Sequence, residues 1–136
     1  MPNKKILITI IVPFYNCKNL VTKHFKKIKS LNNNSLLEVI YIDDGSDDKA
    51  NFFLKKNTKN INNFHILKLN KNCGPGIARN KGIKKACGSF ILFLDIDDYL
   101  ISSGLKKLIS LIKKNKNYDL IFFNYIKKIN KIKINL

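Results

Sequence analysis

Arginine is all but missing from this chain. Of its 136 residues 26 are basic, and Arg79 is the one arginine among them. Bidentate contacts to base edges favour the guanidinium fork, so this scarcity argues against sequence-specific reading of nucleic acid. Histidine and cysteine are scarce too. His24 and His65 stand with Cys17, Cys73 and Cys87, an odd number of thiols with no C-x-x-C spacing. The usual zinc patterns are excluded, and no Ser/His/Asp or Cys/His arrangement can be argued from so few groups. Both histidines read as surface or satisfied structural residues, and the cysteines as free thiols of a reducing cytosol. No apolar run is long enough to cross a bilayer as a helix. The run from Ile6 to Val12 stops at Pro13 with no small-residue cleavage site after it, so it reads as a buried strand rather than a signal peptide.

What is abundant is lysine, giving a formal net charge of +17. Such a balance first suggests nucleic acid or an anionic membrane surface. The lysines, however, are spread along the whole chain rather than gathered in a stripe, which fits a solvated surface better. Peripheral contact with anionic lipid remains compatible with this surface. Hydrophobic residues make up 45% of the chain, enough for one globular domain with a core.

The nine acids are more informative than the bases. Seven fall in two clusters, Asp43, Asp44, Asp47, Asp48 and Asp95, Asp97, Asp98; Glu38 and Asp119 stand apart. Crowded carboxylates repel one another unless a cation or hydrogen-bond donors compensate.

Apolar runs alternate with helical patterns. Strands are expected at Ile6–Val12, Glu38–Ile42, Phe64–Leu69, Phe90–Leu94 and Leu120–Tyr125. Between them lie helices at Asn19–Ser30, with Val21, Phe25 and Ile28 on one face, and from Asp47 or Ser46 as cap through Leu54. Residues 55–63 read as loop. A loop at residues 70–76 is followed by a further helix to about Cys87, with Ala78, Gly82 and Ala86 as a small face and Gly88 suiting its end. The next, capped by Ser102 or Ser103, carries Leu105, Leu108, Ile109 and Ile112. The order predicts an α/β fold: a mostly parallel, Rossmann-like sheet with helices on both faces. Ligands of such sheets bind beyond the carboxyl ends of the strands, where strand order reverses.

Three strands end in polar signatures. Asp95-Ile96-Asp97-Asp98 offers hard oxygens suited to Mg²⁺ or Mn²⁺ carrying a diphosphate, or is simply a solvated turn. In Asp43-Asp44-Gly45-Ser46 a carboxylate can accept from a nucleobase N–H, Gly45 permitting the tight turn; a capped turn is the alternative, and it suits Asp47 and Asp48 better than Asp44. Pro13-Phe14-Tyr15-Asn16 sets an aromatic ring at the strand exit: Tyr15 can stack on a base, while Phe14 reads as core. Asn72-Cys73-Gly74-Pro75-Gly76 leads into a helix whose N-terminus favours an anion, with Arg79 one turn on, though its spacing matches neither the dinucleotide nor the Walker A loop and a structural turn is the plainer reading.

Taken in order and spacing, these stretches and Gly88 to Asp98 resemble the family 2 glycosyltransferases with a GT-A fold, over about residues 6–125. The resemblance implies a single domain, 1–136, matching the N-terminal, nucleotide-sugar-binding half of the family's domain, with 126–136 as edge strand or tail. It implies transfer of a sugar from a nucleotide-diphosphate donor, UDP most often, to a saccharide or lipid-linked saccharide acceptor, aided by Mg²⁺ or Mn²⁺ and with inversion. Pro13 and Tyr15 would line the nucleoside pocket, Asp44 contact the base, Asp95 lie near the ribose and Asp97 bind the metal, with Arg79 supporting the pocket. The family's general base normally comes later in the domain. Here only Asp119 follows Asp98. A catalytically incomplete nucleotide-sugar-binding fragment, or a second chain supplying the acceptor half, is therefore the alternative expectation, and a lysine-driven nucleic-acid or membrane-surface binder is a third. The location expected is cytoplasmic, including the inner face of the membrane.

Overall fold

The computed structural model describes residues 5–31, 35–115 and 117–122. Within them the chain runs β1 (Ile8–Phe14), α1 (Lys18–Leu31), β2 (Leu37–Asp43), α2 (Ala50–Thr58), β3 (Phe64–Lys68), α3 (Pro75–Lys85), β4 (Phe90–Phe93) and α4 (Ser102–Lys114). The strands form one parallel sheet in the order β3-β2-β1-β4, the expected α/β architecture.

Every residue of β1 and β2 is buried, as continuous β-branched runs demand when both sheet faces are covered. On one face Val21, Phe25 and Ile28 of α1, Leu54 of α2, and Leu105, Ile109 and Ile112 of α4 pack on Ile8, Ile10, Val12 and Leu92. On the other, α3 lies over Ile11, Ile40 and Ile42 through Ala78. The small face of α3 is required. A Cβ added at Gly82 would stand 2.7 Å from Ile11 Cγ2 and 3.0 Å from Ile42 Cδ1.

Glu38, set apart from the acidic clusters in sequence, is buried in β2 and compensated by donors. Its Oε2 accepts from the Thr9 hydroxyl (2.5 Å) and the Cys87 N–H (2.9 Å), while Oε1 lies 3.3 Å from His65 Nε2. The network ties the α3–β4 connection to the two central strands.

Several local expectations are corrected. α2 does not stop at Leu54 but continues through Thr58, whose side chain is buried and donates to the Leu54 carbonyl. Gly88 does not end α3, which closes at Lys85; it is needed because a Cβ there would stand 2.5 Å from the Thr9 amide nitrogen. Neither Ser102 nor Ser103 caps α4. The cap position is Ile101, because the helix start is set by docking Leu105, Ile109 and Ile112 on the sheet. Residues 120–122 of the expected fifth strand are not in a strand. Leu120 and Phe122 are 68% and 86% exposed, so nothing described here buries them as a strand would require. The rest of that stretch, and the expected edge strand or tail at 126–136, lie outside the described residues. No helix among the described residues is long and apolar enough to cross a membrane.

Candidate nucleotide-sugar site

Chain order reverses at β1: β2 and β3 lie on one side of it and β4 on the other. The crevice expected of such a sheet therefore lies at the carboxyl ends of β1 and β4. Pro13 helps to open it. It does not terminate β1, as its place after the apolar run suggested, but sits buried inside the strand opposite Ile42. Leu94 N–H donates to the Ile11 carbonyl (3.0 Å), and the next rung between β1 and β4 would need an N–H from residue 13. Proline has none. The β1–β4 register accordingly ends at Ile11 opposite Phe93, and the chain turns away into Asp95–Asp98.

At the exit of β1, Tyr15 is 46% exposed, whereas Phe14 is buried and meets Tyr41 edge-on in the core. Asn16 takes a left-handed conformation (φ 44°) and laces this exit to that of β2. Its N–H donates to Ser46 Oγ (3.0 Å), and its side-chain oxygen accepts from the Asp47 N–H (3.0 Å). Neither Asp47 nor Ser46 caps α2: the cap position is Lys49, and the carboxylate of Asp48, which the capped-turn alternative also suited, takes the helix starts. One of its oxygens accepts from the Lys18 N–H at the start of α1 (2.7 Å), the other from Ala50 N–H at the start of α2 (3.0 Å). Asp43 is fully buried and turns back on Ser46 N–H (2.7 Å), with Lys68 Nζ 3.8 Å from its other oxygen.

Asp44 is 3% exposed, and both its oxygens are engaged: by Cys73 N–H (2.9 Å) and Gly74 N–H (2.8 Å). The backbone donors before α3 that the sequence offered to an external anion thus hold an internal carboxylate, the structural-turn alternative. Gly45 is what lets this loop close in. Its φ is +82°, and a Cβ would stand 2.5 Å from the Lys71 carbonyl carbon.

Arg79 and Asp95, 16 residues apart, meet at the same edge: the guanidinium donates to Asp95 Oδ1 at 2.6 Å. Asp95 opens a tight turn closed by Asp98 N–H on its carbonyl (3.0 Å). Asp97, at the tip, is exposed and makes no hydrogen bond or ion pair with a described residue. Burial pushes the Cys17 thiol above its ordinary range. A hydrogen bond with the Tyr15 backbone opposes this, and the carboxylates of Asp48, Asp43 and Asp97 push it further up. The thiol therefore remains protonated, an unsuitable nucleophile. The two acidic clusters lie on one rim because β2 and β4, which they end, both run parallel to β1.

Among the described residues no three His, Cys, Asp or Glu side chains gather closely enough to enclose a metal ion. A divalent ion at Asp97 would have one protein carboxylate, with ligand oxygens and water completing its shell, which fits the habits of Mg²⁺ and Mn²⁺. Two hollows lie away from this rim, one by Ile6, Asn62 and His65, the other beside β4 by Leu108, Ile112 and Leu120.

With this geometry in view, the pattern of glycosyl transferase family 2 matches residues 9–135. The chain belongs to that family. It is 36% identical over 127 residues to an uncharacterized glycosyltransferase of Mycoplasma genitalium, covering 88% of this chain and 41% of the relative. It is 34% identical over 115 residues to the poly(ribitol-phosphate) beta-glucosyltransferase of Bacillus spizizenii, covering 81% of this chain and 18% of the relative. In three dimensions it is similar to residues 1–349 of S. aureus TarS crystallised with UDP-GlcNAc: TM-score 0.72, 31% identity, 80% of this chain and 32% of that one. The chain thus spans well under half the length of these relatives. The GT-A architecture of this neighbour accords with the parallel four-stranded sheet described above.

The structure gives Asn16, Ser46 and Asp48 their part in building the rim, and it alone brings Tyr99 together with His24 and Lys27. Asn16 carried a readable signal, since an asparagine just past a strand tolerates the left-handed corner. Ser46 and Asp48 carried the signal of a capped turn, whereas Tyr99 and Lys27 carried none.

Proposed function

We propose that this chain is the donor-binding half of a glycosyltransferase that moves a sugar from a nucleoside diphosphate, UDP in the first instance, to a saccharide or lipid-linked saccharide hydroxyl, with inversion. One observation carries the reading: Tyr15, the loop held by Asp44, the Arg79–Asp95 pair and Asp97, which has no partner among the described residues, share one carboxyl edge at the switch point. The UDP-GlcNAc complex of TarS supports the choice of nucleotide.

In this reading the exposed ring of Tyr15 stacks on the base. Pro13 bounds the nucleoside pocket by keeping β4 from closing on β1. Asp44 acts chiefly through the 71–74 loop it anchors, with the acceptor directions left on its carboxylate available to a base N–H. Arg79 fixes Asp95 through Oδ1 and leaves Oδ2 for the ribose hydroxyls. Asp97 holds Mg²⁺ or Mn²⁺ against the diphosphate; when bound, the ion neutralises charge on the leaving group. We place the protein in the cytoplasm, its lysine-rich surface suited to peripheral contact with anionic lipid.

An inverting transfer also needs a carboxylate beside the acceptor hydroxyl. Asp119 is the one acid after Asp98. This favours a second reading, nucleotide-sugar binding without transfer by this chain alone. Calorimetry with UDP, UDP-GlcNAc and GDP, in MnCl₂ and in EDTA, tests the first part: UDP binding strengthened by Mn²⁺, with that strengthening lost in Asp97→Asn, is expected, and metal-indifferent binding overturns it. Sugar release from UDP-GlcNAc by the pure chain then separates transfer chemistry from binding alone.

A further inference from the structure

Tyr99 follows directly on the Asp95–Asp98 turn and precedes α4 by two residues. Its ring stacks on that of His24, with centroids 6.2 Å apart and planes at 26°, and the Lys27 ammonium stands 3.3 Å from its centroid. Both partners project from α1, one helical turn apart. His24 is fixed in turn. It is 1% exposed, its Nδ1 is hydrogen-bonded to the Tyr41 hydroxyl (2.8 Å), and the two rings meet edge-on at 87°. Tyr41 is fully buried in β2. A continuous line of contacts therefore runs from the centre of the sheet through α1 to the residue adjoining the acidic turn.

Ile96 inside the turn and Leu100 just after Tyr99 are half-buried against the core, but neither fixes the polar side of the turn. On one side Arg79 holds Asp95. The side chains of Asp97 and Asp98 make no hydrogen bond or ion pair with a described residue. A π-face carrying both a stacked ring and a cation gains from dispersion and from its quadrupole, and neither interaction requires a buried hydroxyl partner.

We propose that Tyr99 is a positioning residue for the acidic turn: held by His24 and Lys27, its ring sets where the Asp97 carboxylate stands, and the metal-dependent part of nucleotide binding depends on it. This rests on the reading of Asp97 as the metal ligand. Tyr99 touches neither metal nor donor. It works through the two peptide units that join it to Asp97, and displacement of a ligating oxygen by a fraction of an ångström weakens a metal–diphosphate contact.

The test compares UDP affinity in MnCl₂ with UDP affinity in EDTA, by calorimetry on the full chain, for wild type, Tyr99→Leu, Tyr99→Phe, Lys27→Met and Asp97→Asn. The expected result is that Tyr99→Leu lowers the ratio of the two affinities about tenfold while the EDTA value holds. Tyr99→Phe, which keeps the ring and loses only the hydroxyl, retains the wild-type ratio. Lys27→Met, an exposed change that keeps the stem, lowers the ratio by a smaller factor, which covers the case in which Tyr99→Leu folds poorly. An undiminished ratio in both Tyr99→Leu and Lys27→Met, alongside its loss in Asp97→Asn, refutes the role of Tyr99 and leaves the metal reading standing. A ratio that survives Asp97→Asn refutes the metal reading itself, and this proposal with it.

Discussion

Stability should fall as pH is lowered through the range where histidine ordinarily titrates, and His24 is the cause. Burial holds its pKa down to about 4 from the ordinary 6.5, and the nearby Lys27 ammonium adds to the effect. The folded protein therefore keeps His24 neutral while the unfolded chain takes up a proton below pH 6.5. A group whose folded pKa is depressed in this way destabilises the fold as pH drops from the unfolded value towards the folded one, and the loss levels off below it. At about 1.4 kcal/mol per pKa unit the whole effect is about 3 kcal/mol, of which about 2 kcal/mol develops between pH 7 and pH 5. The carboxylates also titrate on acidification, so the comparison must be made against His24→Phe. That variant keeps a ring against Tyr99 but strands the Tyr41 hydroxyl, a cost of about 1–3 kcal/mol that does not vary over this pH range. Urea unfolding of both proteins followed by circular dichroism gives the difference. Wild type should lead at pH 7, and its lead should shrink by about 2 kcal/mol at pH 5. A lead that is the same at both pH values refutes the reasoning and implies that His24 takes up its proton without leaving its site.

Gly45→Ala should cost about 1–3 kcal/mol from the left-handed backbone alone, and more because the new Cβ meets the Lys71–Asn72 backbone; UDP affinity should fall with it, both read by denaturation and calorimetry. Two glycines of α3 should behave oppositely. Gly76→Ala, with open space around it, should stabilise by about 0.4–1 kcal/mol, whereas Gly82→Ala should destabilise by about 1–3 kcal/mol as Ile11 and Ile42 are pushed aside. Equal shifts in the two urea midpoints would contradict the packing described. Arg79→Met should change stability by less than about 1 kcal/mol, because its ion pair with Asp95 is open to solvent. Its UDP affinity should nevertheless drop, and unchanged affinity would remove Arg79 from the site.

The placement of the candidate residues was legible, but unevenly. Asp97 and Tyr15 stand exposed at the rim, where the sequence pattern put them. Asp44 is there too, yet turned inward to grip the amides of Cys73 and Gly74, a partnership that a spacing of about thirty residues does not announce. The Arg79–Asp95 pair is of the same kind. The caps show a subtler failure. Aspartates and serines around residue 47 all suit a helix start, and only the meeting of two helix N-termini at one carboxylate selects Asp48.

The sequence by itself determined the alternation of strands and helices, the faces that would be buried, and the two acidic turns. These follow from side-chain periodicity and from glycine's tolerance of positive φ, both properties of residues a few positions apart. Only the tertiary structure decided that β4 crosses to the far side of β1, that Pro13 ends their ladder, and that His24 and Lys27 of α1 hold Tyr99 beside Asp97. Those contacts join residues tens of positions apart. They exist because right-handed crossovers and buried strand register place them together, which no local pattern encodes.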